Sequence, residues 1–468
     1  MAQRVKNGVV AAIIEDVPGT FQSSLSAAVD GFKVEDPKFV FPPQNTETNN
    51  TGPSLDGDGP IPGGIKPAVS FKIHLRGSGV AGVPAEWGKL LRAAGFSETV
   101  LKTDIAATTI SVTDANTIAD SGNGLAALTV GTHLSSLGFL TAANNQELRV
   151  TSAAAGSIDV VRPDGSAANL VAEAAGAAVT LRRGIAGTAA TAGTATGFTA
   201  QAPFAGTANL YRFLPVLLSG NPAAAVYASI LDYTAGRVAT LADLFGSALD
   251  ASTIASIPAL VAYVPATASL PKLSFAWWDD GVRYRLKGAV VSSCKFTWTT
   301  AQTATLEMTL SGKYHDIADE AVPTAVAYDG TRPGVFRNSP MLVNRLAVAL
   351  QMVSIDCGLE VTWPENPNET EGFDSPEIVG RRLKGSMNPL RTLIATEDYL
   401  SRMRSGTPLS AALRMMGGQA ANVGQRLGIV VPDGVIEKAD PGERGKLRTK
   451  EVDFFPRGYD SGFGLTIW

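Results

Sequence analysis

The stretch that decides the fold is VSFKIHLRGSGVAGVPAEWGKLLRAAGF, residues 69–96. Over residues 69–75, apolar side chains occupy every second position and polar side chains lie between them. A period of two is the spacing of a β-strand that buries one of its faces. The glycine-rich turn at residues 77–79 ends this predicted strand.

A short helix is predicted directly after that turn. Pro84 stands where the first helical residue would be, and Gly95 stands where a C-terminal cap would be. Four apolar residues between them follow helical spacing and form one stripe: Trp87, Leu90, Leu91 and Ala94. We therefore expect the helix to fold back over the sheet and flank it.

The composition favours sheets and turns built from small side chains. The chain has 468 residues, which is long enough for more than one domain. Only 18% of them are charged and 7% aromatic, which favours such sheets over an enzyme with a large aromatic core. Its net charge of −4 argues against a basic protein that clamps nucleic-acid phosphates. Cys294 and Cys357 are too few for a disulfide framework, and we expect two buried thiols.

Neither a membrane span nor an export signal is predicted. No apolar run reaches the roughly 20 residues that a membrane span needs. Residues 1–10 lack the apolar core of a signal peptide. The expectation is a protein without a membrane partner that stays in the cytoplasm where it is made.

Residues 41–66 form a predicted long loop. They are dense in Pro, Gly, Asn and Asp, with almost nothing to bury. Such a loop is either a flexible surface segment or an arm that becomes ordered only against a neighbouring subunit. We favour the arm, and within it we expect contacts from Asn49, Asp56 and Asp58.

Residues 102–196 are predicted to be an inserted small β-module. Up to residue 184 the chain is nearly free of aromatic residues, and short strand-like segments alternate with turn signals. The string GTAATAGTATG, residues 187–197, has the composition of a low-complexity linker. The core would then be discontinuous, formed by residues 1–101 and 197–468.

The clearest sheet is predicted between residues 271 and 318. LSFAWW and VRYRL flank the turn Asp279-Asp280-Gly281, which is a hairpin by alternation and by turn chemistry. Three further helices are expected, at residues 241–249, 396–406 and 408–416, and a final strand at residues 464–468.

Two strings resemble the major tail (tail tube) proteins of long-tailed, non-contractile bacteriophages. GSGVAGVPAEWGKLLRAAGFSET, residues 77–99, closely resembles a stretch of these proteins. The order of residues around the predicted hairpin is similar to their core, at Gly281, Tyr284, Leu286, Gly288, Ala289, Leu306, Leu310, Gly312 and Tyr314. Residues 130–161 resemble small β-modules inserted in phage tail proteins, at Gly138, Phe139, Asn144 and Asn145. An extra segment, residues 216–270, departs from the simpler members of the family.

The resemblance implies a mainly β fold, with a sandwich or barrel core and a flanking helix. It implies self-assembly into hexameric rings that stack into the tail tube, through which viral DNA passes without specific binding. The hairpin with Asp279, Asp280 and Gly281 would line the lumen, the loop 41–66 would reach adjacent rings, and the module 102–196 would face outwards. Further implied partners are the tape measure, terminator and distal tail proteins. The implied place is the virion tail, assembled in the cytoplasm of the host bacterium.

No catalytic, metal or cofactor site is predicted. His74, His133 and His315 are isolated in sequence, and we expect them to face solvent. The adjacent aspartates of the hairpin fit turn geometry better than acid–base chemistry. The alternative function is a β-domain adhesin or carbohydrate-binding protein. A glycan-cleaving enzyme would need a pair of carboxylates held across a cleft.

Overall fold

The structure, a computed structural model, describes residues 7–48, 51, 59–221, 226–326, 328–416 and 422–468. Strands take 49% of the chain and helices 5%, so the predicted mainly β class is confirmed. Nearly all strands belong to one large sheet or to two smaller ones.

The large sheet has 17 strands and draws on both ends of the chain. Its strands are β1 (Gly8–Ile14), β2 (Gly31–Phe32), β3 (Glu35–Val40), β4 (Ala68–His74), β5 (Phe96–Leu101), β20 (Leu260–Pro265), β21 (Leu273–Asp279), β22 (Val282–Thr299), β23 (Thr305–Asp319), β24 (Met341–Val343), β25 (Leu346–Ala347), β26 (Leu350–Asp356), β29 (Lys384–Pro389), β30 (Leu409–Met415), β31 (Leu427–Arg444), β32 (Leu447–Pro456) and β33 (Gly464–Ile467). A separate pair consists of β27 (Leu359–Thr362) and β28 (Glu377–Arg381).

The second and third sheets have seven strands each. The second contains β6 (Thr103–Ala107), β7 (Ile110–Val112), β8 (Thr117–Asp120), β9 (His133–Leu137), β10 (Glu147–Ala153), β11 (Ser157–Val161) and β12 (Val179–Arg183). The third contains β13 (Ile185–Ala189), β14 (Ala192–Thr194), β15 (Gly197–Thr199), β16 (Pro215–Ser219), β17 (Val226–Tyr233), β18 (Val238–Leu241) and β19 (Ile254–Ile257). Each sheet has an apolar cluster of its own.

The helices of the described residues are short. They are α1 (Ala27–Asp30), α2 (Gly88–Ala93) and α3 (Tyr399–Ser405), with 3-10 turns at Gly124–Ala127 and Ala142–Asn144. The predicted helix before Gly95 exists, but it begins at Gly88 and not at Pro84, because residues 81–87 form turns. Gly95 follows it with φ +84°, a conformation that glycine adopts without steric cost.

Two other predicted helices are wrong. Residues 408–416 form the strand β30, which pairs with β24 on one side and β31 on the other. Ala411, Leu413 and Met415 supply its core-facing side chains, so pairing and burial outweigh the helical spacing. Of the predicted helix 241–249, Leu241 is the last residue of β18, and residues 242–249 are irregular with three bends.

The predicted linker 187–197 is also wrong, because it lies mostly in strands. β13 pairs with β19, and β14 pairs with β15. These strands belong to the same sheet as β16 to β19, which account for most of the extra segment 216–270, while β20 of that segment lies in the large sheet. The chain leaves the second sheet at Arg183, and the proposed module boundary at residue 196 falls inside the third sheet.

The loop 41–66 is structured at its base. Thr46 and Ile61 exchange two backbone hydrogen bonds of 3.0 and 2.9 Å, and Gln44 N donates to Gly64 O at 2.8 Å. A two-stranded stem therefore supports the tip of the loop. Asn49, Asp56 and Asp58 lie outside the described residues.

Candidate functional site

A band of alternating charges crosses the open face of the large sheet. It follows eight neighbouring strands in the order β3-β4-β23-β22-β26-β29-β32-β31. We call it the charged band, and its members in that order are Glu35, Lys72, Glu307, Lys295, Asp356, Lys384, Asp453 and Lys438. Each residue lies opposite the next in register, except Lys384, which reaches Asp453 diagonally.

A row of hydroxyl groups runs beside the charged band. Because side chains two residues apart on a strand share a face, this row belongs to the same open surface. Its members also lie opposite one another in register: Thr305, Thr297, Ser354 and Ser386. His74 flanks one end of the row and Asp453 the other.

The opposite face of these strands is apolar and buried. On five of the eight strands, the residue next to the charged band points into the core: Ile73, Leu306, Phe296, Ile355 and Phe454. On β31 the core residue Ile436 precedes Lys438 across a bulge. One face of the sheet is therefore apolar and buried, and this burial fixes the register of the strands. The other face is polar and exposed. A one-residue slip of any strand would move its charges into the core.

Ion pairs along the charged band are partly exposed. Lys384 Nζ lies 3.0 Å from Asp453 Oδ2, and Lys438 Nζ lies 3.1 Å from Glu451 Oε2. Burial alone would raise the pKa of Asp453, but hydrogen bonds from Ser386 and Lys384 hold it below its usual value. Such exposed pairs add little stability, because water and salt screen their attraction. Their regular alternation is better explained by the surface that they create.

That surface is charged but electrically balanced. Four acidic residues and four lysines make up the charged band, so its formal charge is zero. Like charges directly opposite each other on neighbouring strands destabilise the pair. In the charged band each charge instead faces one of opposite sign. A polyanion passing over such a face meets attraction and repulsion in equal number.

The predicted hairpin turn is formed by β21 and β22. Asp280 and Gly281 have φ of +41° and +106°, as a two-residue hairpin turn with positive φ at both positions requires. Asp280 N donates to Asn7 O at 2.9 Å. Burial and the neighbouring Asp280 charge raise the pKa of Asp279. The turn is one end of β22, and Lys295 of the charged band lies further along the same strand.

The four residues predicted for the flanking helix are buried at one place. Leu90 and Leu91 lie in α2, while Trp87 and Ala94 are its two cap residues. Trp87 Nε1 donates to Arg76 O at 2.8 Å, and its ring lies 6.0 Å from that of Tyr263. This contact joins the helix to the end of β4 and to β20.

A buried polar cluster joins all three sheets. His133 Nε2 lies 2.8 Å from the hydroxyl of Tyr227 and 3.6 Å from Glu147 Oε1. Glu147 pairs with Arg426, which lies in the core just before β31. Burial lowers the pKa of His133 to about 4. The prediction that His133 faces solvent is therefore wrong, because the second sheet packs this side of β9 against the third.

The other two histidines lie apart from His133. His74 is half-buried, with Nε2 2.7 Å from Glu35 Oε1 and Nδ1 2.7 Å from the Thr303 hydroxyl. His315 stacks on Phe21, with ring centroids 4.3 Å apart. Within the described ranges, no three His, Cys, Asp or Glu side chains are placed to bind a metal ion. Cys294 and Cys357 are buried free thiols, as predicted.

None of the helices in the described part of the chain has the length and apolar character that a membrane crossing requires.

The charged band could have been found only in part from the sequence. Alternation on β4 and β23 indicates which residues share the open face. Asp356, Lys384 and Asp453 continue the row from Lys295 because their strands, β26, β29 and β32, follow β22 in the sheet. That strand order depends on long-range pairing, which local sequence patterns do not contain. The band was therefore absent from the sequence-based predictions.

The comparisons with known proteins give one family. No curated protein matches the chain. A family model described as phage tail tube protein matches residues 219–454, half of the chain. The matched region contains six of the eight residues of the charged band, all except Glu35 and Lys72. The chain belongs to the phage tail tube protein family.

Proposed function

We propose that copies of this chain close into hexameric rings and that these rings stack into the tail tube of a long-tailed, non-contractile phage. The family match carries this proposal, because it covers the strands that hold most of the charged band. The two-faced sheet supports it. An open polar sheet face of this size suits a wall around water better than a solvent-exposed flank of a compact monomer.

The polar face is proposed to line the channel through which viral DNA passes. DNA carries one negative charge per ~1.7 Å of helix axis, so a basic wall would bind it tightly. The charged band has no excess of either sign, and the neighbouring row offers hydroxyl groups. DNA can then slide without specific binding, and water remains at the wall.

The remaining parts of the chain are assigned on the same view. The turn Asp279-Asp280-Gly281 lies at one rim of the channel wall, and α2 flanks the sheet behind it. The loop 41–66 reaches the adjacent ring, including Asn49, Asp56 and Asp58. The second sheet points away from the channel, since a seven-stranded sheet inside would block DNA.

The protein acts as a structural component of the virion tail and not as an enzyme. Its proposed partners are further copies of itself and the tape measure, terminator and distal tail proteins. Assembly takes place in the host bacterial cytoplasm, and no cofactor takes part.

Electron microscopy of the purified protein, together with sedimentation velocity, tests self-assembly. Rings or tubes with a central channel are expected, at a protein concentration where assembly is complete. A monodisperse monomer at every concentration would overturn the proposal and would favour the adhesin or carbohydrate-binding alternative.

A charge change at the turn tests the channel. Asp279→Lys with Asp280→Lys adds four units of positive charge per subunit while leaving Gly281 in place. Folding and tube assembly should be unchanged, and DNA release from mature phage should slow. Asp279→Asn with Asp280→Asn is the control, because it removes the two negative charges without introducing a cation. Normal DNA release from the lysine variant would place this turn outside the channel.

A further inference from the structure

The two ends of the charged band lie on strands that form strand pairs on one side only. Within the described residues, β3 pairs with β4 alone, and past Gly434 β31 pairs with β32 alone, while α3 packs against β31. The band begins at Glu35 on β3 and ends at Lys438 on β31. The eight-strand run thus has an acidic residue on its first strand and a basic residue on its last.

We propose that β31 of one copy lies beside β3 of the next copy in the ring, with Lys438 facing Glu35 across the boundary. This inference rests on the proposed ring assembly and names the surfaces that close it. The alternation then continues without interruption from one subunit to the next. Both side chains reach the surface, because 42% of the Lys438 side chain and 48% of the Glu35 side chain is exposed. Within its own subunit Lys438 pairs with Glu451 and Glu35 with His74, and in the ring each would gain a second partner of opposite charge.

Strand direction supports the same arrangement. Every neighbouring pair in the run is antiparallel. Since the run has eight strands, β3 and β31 point in opposite directions. Rotation about a ring axis keeps the direction of each strand relative to that axis, so β3 of the second copy is antiparallel to β31 of the first. Ring closure therefore extends an entirely antiparallel sheet.

Both edges also carry features that limit indiscriminate pairing. β3 has a bulge between Glu35 and Lys38 and contains Pro37. The outer part of β31 contains Pro441, which has no backbone N–H. Prolines, bulges and charges on edge strands prevent open-ended association. Selection of the correct neighbour then depends on charge register, and Glu35 against Lys438 is the register that keeps opposite charges opposed.

The β3 edge and the β31 edge of one subunit have different roles in this contact. The contact is head-to-tail, so each copy offers its acidic edge to one neighbour and its basic edge to the other. Two copies that both carry lysine at the boundary, or both glutamate, should repel each other. A mixture of the two kinds should not, because alternate copies oppose every charge with its opposite.

The test uses Glu35→Lys and Lys438→Glu, each as the full-length chain. Each variant alone should raise the critical concentration for ring formation at least about tenfold. An equimolar mixture of the two should recover rings near the wild-type concentration. Asp232→Lys, an exposed residue of the third sheet, is the matched charge control and should leave assembly unchanged. Circular dichroism and thermal unfolding of the unassembled chains confirm that each variant folds.

The outcomes separate this contact from the proposed function. If wild-type protein forms rings and both single variants do so equally well, the contact is wrong and ring assembly stands. If the single variants fail and their mixture also fails, the two residues do not face each other. If wild-type protein forms no rings, the proposed function falls, and the contact falls with it.

Discussion

Gly385 allows the ring of Phe454 to pack directly against the backbone of β29. It lies in the core-facing row between Ile355 and Phe454, on the central part of the eight-strand run. A Cβ at this position would lie 2.2 Å from Cζ of the Phe454 ring. The aromatic ring therefore fills the space that a side chain on β29 would occupy, and the two strands remain in register.

Gly385→Ala is expected to destabilise the fold. The added methyl group meets a buried ring, and overpacking of this kind costs about 1–3 kcal/mol. Gly330→Ala is the matched control, because no atom lies within 4 Å of the added Cβ there. Urea unfolding of the two variants should show a clear loss for Gly385→Ala alone. Equal stability of both variants would mean that Phe454 moves aside without cost.

His133 makes stability depend on pH in a defined window. Its pKa is about 4 in the folded protein, because burial disfavours the charged ring, against 6.5 for an exposed histidine. The unfolded chain therefore takes up a proton between pH 6.5 and 4 that the folded chain does not. Stability is complete above pH 6.5 and declines as the pH falls through this window.

His133→Gln removes this titration while keeping a polar side chain near Tyr227. Between pH 7 and 4, the wild-type protein should lose on the order of 3 kcal/mol more free energy of unfolding than the variant. Urea denaturation at the two pH values measures the difference. The same pH dependence in both proteins would contradict a buried neutral histidine at this junction.

At the scale of elements, the sequence predicts the strands whose two faces differ. Alternation identifies β4, β21 and the start of β22, and the turn Asp279-Asp280-Gly281 joins the last two as expected. Pairing partners that are distant in sequence decide the rest. The apolar spacing of residues 408–416 fits a helix equally well, and only the pairing of β30 with β31 makes it a strand.

The candidate site was less predictable than the fold for the same reason. Single strands of the charged band have an ordinary alternating pattern, and no motif links Lys72 with Lys438. The prediction of a linker at residues 187–197 was wrong because small residues also form strands when a neighbouring strand pairs with them. Here β13 pairs with β19, and β15 pairs with β14 and β18. Composition alone does not contain that information.

The stem of the loop 41–66 allows a clean test of the arm. Replacing residues 47–60 with Asn-Gly joins Thr46 and Ile61, which already form the hydrogen-bonded pair that a two-residue turn requires. We expect folded monomers and single rings but no long tubes, because the variant lacks the residues that we propose contact the next ring. Electron microscopy counts rings against tubes. Long tubes at the wild-type concentration would show that the tip is dispensable.

In the whole molecule, the second sheet is an insertion whose first and last residues are adjacent. Thr103 and Arg183 lie directly opposite each other in register, so the chain enters and leaves this sheet at neighbouring positions. Both smaller sheets also form an ion pair with the large sheet: Glu147 of the second pairs with Arg426, and Asp243, just after β18 of the third, accepts a hydrogen bond of 2.8 Å from Arg414 Nη1 of β30. What distinguishes the second sheet is that a short linker can bridge its two adjoining ends.

Deletion of residues 103–183, with Gly-Ser joining Lys102 to Gly184, should leave tube assembly intact. The deletion removes Glu147, the ion-pair partner of Arg426, and we expect water to hydrate the Arg426 side chain that it leaves exposed. A lower melting temperature is expected, and tubes should be narrower on the outside with an unchanged channel. Deletion of residues 102–196 is the contrasting variant, since it removes strands of the third sheet and should prevent folding. If the variant lacking residues 103–183 folds as a monomer but never assembles, the second sheet is neither outward-facing nor dispensable.

If the polar face of the large sheet lines a DNA channel, a cryo-electron microscopy reconstruction of assembled tubes should show it at a resolution that resolves side chains. We expect rings whose inner surface carries the charged band from Glu35 to Lys438, with the second sheet on the outside. A tube with the charged band on its outer surface, or buried between rings, would exclude this arrangement.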